Sequence, residues 1–263
     1  MRRWTSAAPS RCFLTRTFTE YGDRRNPAIL FLHGIRLGRD IWTPHARMLA
    51  PKYHVVTLDL PGHGSLAHVE FSETTVRDVI GETIENVCAS PPLVVGYSLG
   101  GYVAMEYSAH HPEHTAGLVL AGCAMDYEGW RRWPYEMSVR LTDALPQPWL
   151  DAFFHVSLRL TLPKPVAEVV EQIPFNRGVF RNTATIAGSG NKRFSDVLST
   201  YRKPVLFVQG EYDVVFRMDE KRFLSLLPQA RLRVIPHVDH TAPMRKVKEF
   251  SDIVADFAGR VFP

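Results

Sequence analysis

Pro92-Leu93-Val94-Val95-Gly96-Tyr97-Ser98-Leu99-Gly100-Gly101 is the stretch on which the reading of this 263-residue chain turns. Its first half is a short, nearly unbroken apolar run, the pattern of a strand covered on both faces. Its second half is G-x-S-x-G, and residues 99–111 follow with helical spacing. A serine on a tight strand-to-helix turn is held in a strained backbone conformation that pushes its hydroxyl into a cleft. The flanking glycines leave room that side chains would fill. Ser98 is therefore the candidate nucleophile, and the strand before it and helix after it separate the motif from chance matches.

Working outward, similar apolar runs recur at 28–32, 54–59, 117–121, 204–209 and 231–235, with 92–97 among them. Helical spacing lies between them at 42–50, 74–89, 218–227 and 245–258. In 74–89, Val76, Val79, Ile80, Ile84 and Val87 share one face of a 3.6-residue repeat. Strands alternating with helices predict an α/β fold with a doubly wound, mostly parallel sheet, whose sites lie beyond the C-terminal ends of the strands.

The alternation breaks between Ala124 and Tyr201. This segment offers no convincing strand and is dense in aromatics, among them Trp130, Trp133, Tyr135, Trp149, Phe153, Phe154, Phe175 and Phe180. Patterning at 134–144 and 148–160, punctuated by Pro146, Pro148, Pro163 and Pro165, predicts a small helical cap. Residues 1–123 and 202–263 then form the core, and 124–201 the cap or lid insertion. Most of the aromatics are expected to pack the cap onto the main domain.

A hydrophobic content of 45% with 22% charged residues suits a chain that buries a sizeable core. The net charge of +4 is spread among acids and forms no block, which argues against a nucleic-acid partner. Cys12, Cys88 and Cys123 are odd in number and far apart, so neither a disulfide framework nor a zinc pair is implied, and a reducing cytoplasm fits. No apolar run approaches the roughly 20 residues needed to span a bilayer. The segment from Met1 to Phe18 carries Arg2, Arg3, Arg11 and Arg16 without an acid; it faintly resembles a transit peptide but reads better as a frayed leader.

A serine hydroxyl is a poor nucleophile at neutral pH and needs a base, with an acid to orient it. The last strand runs into Pro236-His237-Val238-Asp239-His240-Thr241-Ala242-Pro243, and the strand before it ends in Gly210-Glu211-Tyr212-Asp213. Serine, acid and histidine thus follow in the order expected of this architecture.

Together these features resemble the α/β-hydrolase fold family from about Phe18 onward. Leu32-His33-Gly34-Ile35 is similar to the family's HG oxyanion loop after its third strand, and Asp59-Leu60-Pro61-Gly62-His63-Gly64 to its DxxGxG segment after the fourth. The resemblance implies a cap inserted between strands 6 and 7 of the family's count. It implies a Ser98-Asp213-His240 triad, an oxyanion hole made of the Ile35 and Leu99 backbone N–H groups, and no cofactor or metal. His240, followed by Pro243 and Phe250, matches the family's ending better than His237. Asp239 replaces the customary glycine, and could tighten the loop or shift the base. Asp213 matches the family's acid; Glu211 reads as a loop-fixing carboxylate, and Asp126 is the alternative acid that a minority of relatives would use. His33 and His63 are expected to hold loops through backbone hydrogen bonds. His110, His111 and His114 suggest zinc spacing until Pro112 is noticed, which ends the helix and spoils the shared face.

The implied function is hydrolysis of carboxylic esters or lactones through an acyl-enzyme, on a small-molecule acyl substrate, as in the family's small esterases and enol-lactonases. Arg36, Tyr97, Trp130, Trp133 and Phe154 are the candidate substrate contacts, Arg36 being either a carboxylate partner or a surface residue. Two alternatives stay open. One is a lyase of the menaquinone-pathway synthase type on the same triad, although Tyr102 stands where that family often has arginine. The other is a non-enzymatic ligand receptor on the same fold. Substrate identity, pathway and oligomeric state have no signature in the sequence.

Overall fold

The computed structural model describes residues 17–170, 176–181 and 193–263, so the Arg-bearing N-terminal segment to residue 16, Cys12 and Phe175 lie outside the described residues. Its centre is a seven-stranded sheet in the order β1-β3-β2-β4-β5-β6-β7. The strands are β1 (Phe18–Tyr21), β2 (Ala28–Leu32), β3 (His54–Leu58), β4 (Leu93–Tyr97), β5 (Gly117–Ala121), β6 (Val205–Gly210) and β7 (Ala230–Ile235). All pairs are parallel except β1 with β3. The six apolar runs of the sequence all become strands. β1 is an addition: Phe-Thr-Glu-Tyr is four residues long, half-buried and half polar, because it forms an open antiparallel edge.

Alternate residues of the central strands feed two cores. Leu30, Leu32, Val56, Val94 and Leu118 belong to one face. Ile29, Phe31, Val55, Val95 and Val119 belong to the other. With both faces covered there is no polar alternation, which is why the sequence reads as continuous apolar runs. Burial of each such side chain contributes about 1.5–3 kcal/mol before the entropy of ordering is counted. At the far edge, β7 exposes Arg231 and Arg233, charges that oppose pairing with another strand.

The helices sort by face. α1 (Thr43–Leu49) and the C-terminal α10 (Val247–Val261) cover one side through Ala46, Leu49, Phe250, Val254 and Phe257. α2 (Glu73–Val87) and α3 (Leu99–His110) cover the other. α2 starts at Ser72, whose hydroxyl accepts from the Thr75 N–H while the Thr75 hydroxyl accepts from the Ser72 N–H, so two end-of-helix donors are satisfied. α3 stops before Pro112, which has no N–H to continue it.

Between β5 and β6 the described residues form helices and no strand: α4 (Trp133–Ala144), α5 (Gln147–Thr161), α6 (Lys164–Val170), a turn of helix at 177–181, and α7 (Phe194–Leu198). Phe194 and Leu198 of α7 are packed into the core on the α3 side. After β6 comes α8 (Glu220–Leu226), and after β7 the short α9 (Ala242–Arg245) leads into α10. Among the described residues no helix is long and apolar enough to cross a membrane.

Candidate active site

β4 delivers Ser98 onto the first turn of α3 with φ 51 and ψ −115, a positive φ that costs a non-glycine residue about 1–3 kcal/mol. The surroundings hold it there: the Ser98 N–H donates to Ala121 O at 2.8 Å, and the Ser98 carbonyl accepts from Gly101 and Tyr102. The turn packs hard against the end of β2. A Cβ on Gly100 would lie 2.3 Å from the Leu32 carbonyl oxygen, so only glycine lets the loop after β2 and the helix start approach this closely.

Ser98 Oγ is 3.1 Å from His240 Nε2, and His240 Nδ1 is 2.7 Å from Asp213 Oδ2. A carboxylate only accepts, so the Nδ1–H donates to Asp213, and the neutral ring presents Nε2 as an acceptor to the Ser98 hydroxyl. Asp213 is buried, and its Oδ1 accepts from the Phe216 N–H at 3.2 Å. The three residues sit on the loops after β4, β6 and β7, brought to one end of the sheet by its parallel order.

The imidazole is held on both sides. Phe216 stacks on it at 4.2 Å and 23°, and Tyr97 lies 5.1 Å away. Gly122, with φ 60, lies close to the ring: a Cβ there would come within 2.8 Å of His240 Nδ1 and Cε1. Neither Phe216 nor Gly122 was legible as a site residue, although Phe216 stands three residues after Asp213, within reach of its carboxylate.

The competing residues have other partners. His237 is exposed, bonded to the Tyr212 hydroxyl at 3.1 Å, and Glu211 accepts its N–H at 2.8 Å, a loop-fixing contact. Asp126 accepts from the N–H and hydroxyl of Ser195 and pairs with Arg222. Asp239 tightens the His240 loop by accepting from the Thr241 N–H at 2.9 Å and its hydroxyl. Burial would raise the Asp239 carboxyl, but the two Thr241 bonds leave it below its ordinary value.

The His33-Gly34-Ile35 loop is braced from below. His33 is fully buried; its Nε2 accepts from the Leu60 N–H at 3.0 Å, so its Nδ1–H donates to Gly34 O at 2.8 Å. Burial keeps this ring neutral by lowering its pKa. His63 donates to Pro61 O at 2.9 Å and is pulled down to about 3, mainly by burial. Asp59 accepts from the N–H groups of Arg39 and Ser65, and pairs with the Arg39 guanidinium, tying the two motif loops together. Leu99 is the first residue of α3, where N–H groups lack an intrahelical partner.

A cavity of about 220 Å³ opens at Ser98, Leu99 and Ile35 and runs along α3 past Val103, with Phe71, Tyr102, Tyr127, Phe180 and Phe194 in its walls. The sequence-based substrate contacts fall outside this cavity's walls. Trp130 and Trp133 are 71% and 62% exposed and are not among the cavity's walls. Tyr97, 4% exposed, lies beside His240 within the core. Arg36, at φ 64, is half-buried with its guanidinium 3.9 Å from the centre of the Phe154 ring, and burial lowers it to about 10. Phe154 in turn contacts Phe180. Arg36 and Phe154 thus join α5 to the loop after β2 and are not among the cavity's walls.

Such an arrangement defines a class: a doubly wound sheet that carries serine, aspartate and histidine in line on three adjoining loops. The match of a sequence model of the alpha/beta hydrolase family to residues 29–253 makes the chain a member of that family. Among curated relatives, a putative 2-succinyl-6-hydroxy-2,4-cyclohexadiene-1-carboxylate synthase of Bacillus subtilis is 25% identical over 252 residues, 90% of this chain and 92% of that protein. A pimeloyl-[acyl-carrier protein] methyl ester esterase of Nitrosomonas europaea is 26% identical over 229 residues, 81% of this chain and 88% of that protein. Among solved structures, MenH from S. aureus superposes with a TM-score of 0.77 at 20% identity, covering 94% of this chain and 99% of that one. A thermophilic esterase from Thermogutta terrifontis gives 0.75 at 19%, covering 94% and 93%. At those identities the likeness establishes the fold.

Proposed function

We propose that the chain is a serine hydrolase of carboxylic esters or lactones, working through an acyl-enzyme on Ser98. The hydrogen-bonded line from Ser98 Oγ through His240 to Asp213, at 3.1 and 2.7 Å, carries this reading. His240 Nε2 takes the proton as Oγ attacks the carbonyl carbon, and Asp213 stabilises the imidazolium that forms. The oxyanion is received by the N–H groups of Ile35 and Leu99; one such donor is worth on the order of 10²–10³ in rate. His240 then protonates the leaving alkoxide, and later activates the water that releases the acid. No cofactor takes part in these steps. The segment 124–201 serves as the cap over the site. The cavity along α3 receives the acyl group: its aromatic and aliphatic walls about Tyr102 and Val103 suit an apolar acyl chain, while Glu73, Arg77, Glu106 and His111, also in its walls, offer partners to a polar group on that chain. The chain is placed in the cytoplasm, a setting that fits the free thiols of Cys88 and Cys123.

The similarity to the Bacillus subtilis synthase supports elimination on the same triad as a second reading. Tyr102 weighs against it. Where the synthases often carry arginine, this hydroxyl donates to Met125 O at 3.1 Å, and the ring joins the apolar wall. The test is labelling with a fluorophosphonate and mapping of the adduct by mass spectrometry, beside an ester and lactone panel of graded acyl size. Labelling at Ser98 with turnover of the panel is expected, and Ser98→Ala should cost roughly 10⁶-fold in kcat. Labelling elsewhere, or an unaltered rate in Ser98→Ala, overturns the reading. Elimination without hydrolysis would favour the lyase, and tight binding without turnover the receptor.

A further inference from the structure

Beyond the far end of α3 from Ser98, the chain reads His110-His111-Pro112-Glu113-His114. Pro112 ends the helix, as the sequence predicts, yet the ending does not separate the histidines. The 3-10 turn Pro112–His114 folds back so that the His111 and His114 rings stack at 5.3 Å and 19°. Glu113 reaches between them: its Oε1 is 3.9 Å from His111 Nδ1 and 3.6 Å from His114 Nε2. All three donor atoms lie within 4.8 Å of one another, and among the described residues no other such group converges as closely.

We propose that His111, Glu113 and His114 form a binding site for a divalent transition metal ion of the zinc, cobalt, nickel or copper type, at the end of the cavity remote from Ser98, where His111 is one of the walls.

Bonds of about 2.1 Å in a tetrahedral site set donors about 3.4 Å apart, so the observed spacings are close to ligating distance. The two Glu113 distances close by small rotations of that exposed side chain, and the histidine donors, within 4.8 Å of each other, close by a turn of the partly exposed His111 ring. Two imidazoles and one carboxylate select borderline metals over magnesium or calcium, which prefer oxygen donors alone. Of the two rings, His114 is already oriented. Tyr107 lies against them, at 5.1 Å from His111 and 6.1 Å from His114, and its hydroxyl is 2.7 Å from His114 Nδ1. With Nε2 on the metal, Nδ1–H would donate to that hydroxyl, the outer contact by which ligating histidines are generally oriented. Glu113 and the half-buried histidines face solvent on one side, which provides a path for the ion and a free coordination position. The twelve residues of α3 place this site about 18 Å from Ser98.

The site rests on none of the serine chemistry, and the experiment separates the two. The purified chain, without a polyhistidine tag, is titrated with Co(II) and followed by its visible d–d absorption, before and after fluorophosphonate has blocked Ser98. A single equivalent should bind in both preparations. Binding should weaken by at least about 10-fold in Glu113→Gln, and be lost in His114→Ala. Glu113→Gln alters an exposed side chain, so its melting temperature without metal should match the parent, which keeps the test valid if His114→Ala unfolds. Absence of a cobalt spectrum, equal affinity in Glu113→Gln, or loss of binding on blocking Ser98 would each overturn the proposal, the last by assigning the ion to His240.

Discussion

Asp213→Asn removes a charge and almost no volume, and the structure says which way the new amide will face. One carboxylate oxygen of Asp213 accepts from the Phe216 N–H at 3.2 Å, and the other from His240 Nδ1 at 2.7 Å. The backbone donor at Phe216 cannot change, so it will claim the amide oxygen and leave the NH₂ pointing at His240. Nδ1 must then accept, the ring proton moves to Nε2, and the nitrogen facing Ser98 becomes a donor unable to take the hydroxyl proton. The geometry survives and the tautomer does not. Loss of a correctly held base of this kind costs about 10⁴ in kcat, or about 5 kcal/mol of barrier, with KM little changed. The assay is steady-state hydrolysis of a p-nitrophenyl ester, with ¹⁵N NMR of labelled imidazole to read the tautomer and melting temperature to confirm folding. A folded Asp213→Asn enzyme that keeps more than about a tenth of the parent kcat would refute the assignment of Asp213 and the reasoning about Phe216 together.

Gly122→Ala places a methyl 2.8 Å from the His240 ring at a backbone φ of 60, so it should displace the base and leave the sheet intact. A shift near 1 Å predicts a fall of about 10² in kcat, checked by kinetics beside circular dichroism; full activity would mean that the ring has slack the structure denies. Stability should fall on the acid side. Burial pulls His45 down to about 4 and His63 to about 3, whereas both take a proton near 6.5 when unfolded. Below 6.5 the unfolded chain therefore binds more protons than the native one, and stability is lost as pH falls from there toward 4. At pH 5 the two histidines together account for about 4 kcal/mol relative to pH 8, with His33 adding in the same direction. Urea unfolding at the two pH values checks this, and His45→Gln should flatten the dependence by about one proton; a flat profile in the parent would contradict the burial of these rings.

The parallel sheet was legible because a strand buried on both faces leaves no polar alternation to confuse the pattern, and Ile29 to Leu32 show this residue by residue. β1 was not, since an edge strand of two aromatics, a threonine and a glutamate owes its form to its partner and not to its own composition. The same divide runs through the site. Ser98, Asp213 and His240 stand on loops whose local motifs announce them, but of the residues around the imidazole only Tyr97 lies in such a motif, while Gly122 comes from the end of β5 and Phe216 from the loop after β6. Each is an ordinary core residue when read alone, and only three-dimensional closure gives it a role. Trp130 and Trp133 illustrate the opposite case. Aromatic density drew attention to them, yet the stretch from Tyr127 to Tyr135 carries aromatics both in the cavity wall and on the surface, and periodicity does not say which is which. Tyr127 and Tyr135, from the same stretch, took the inner side because their hydroxyls, 3.3 Å apart, satisfy one another inside the apolar wall. The bulkier Trp130 and Trp133 side chains stayed outside, so the acyl specificity of this site should follow substitutions at Tyr127 and Tyr135 and be indifferent to those two tryptophans.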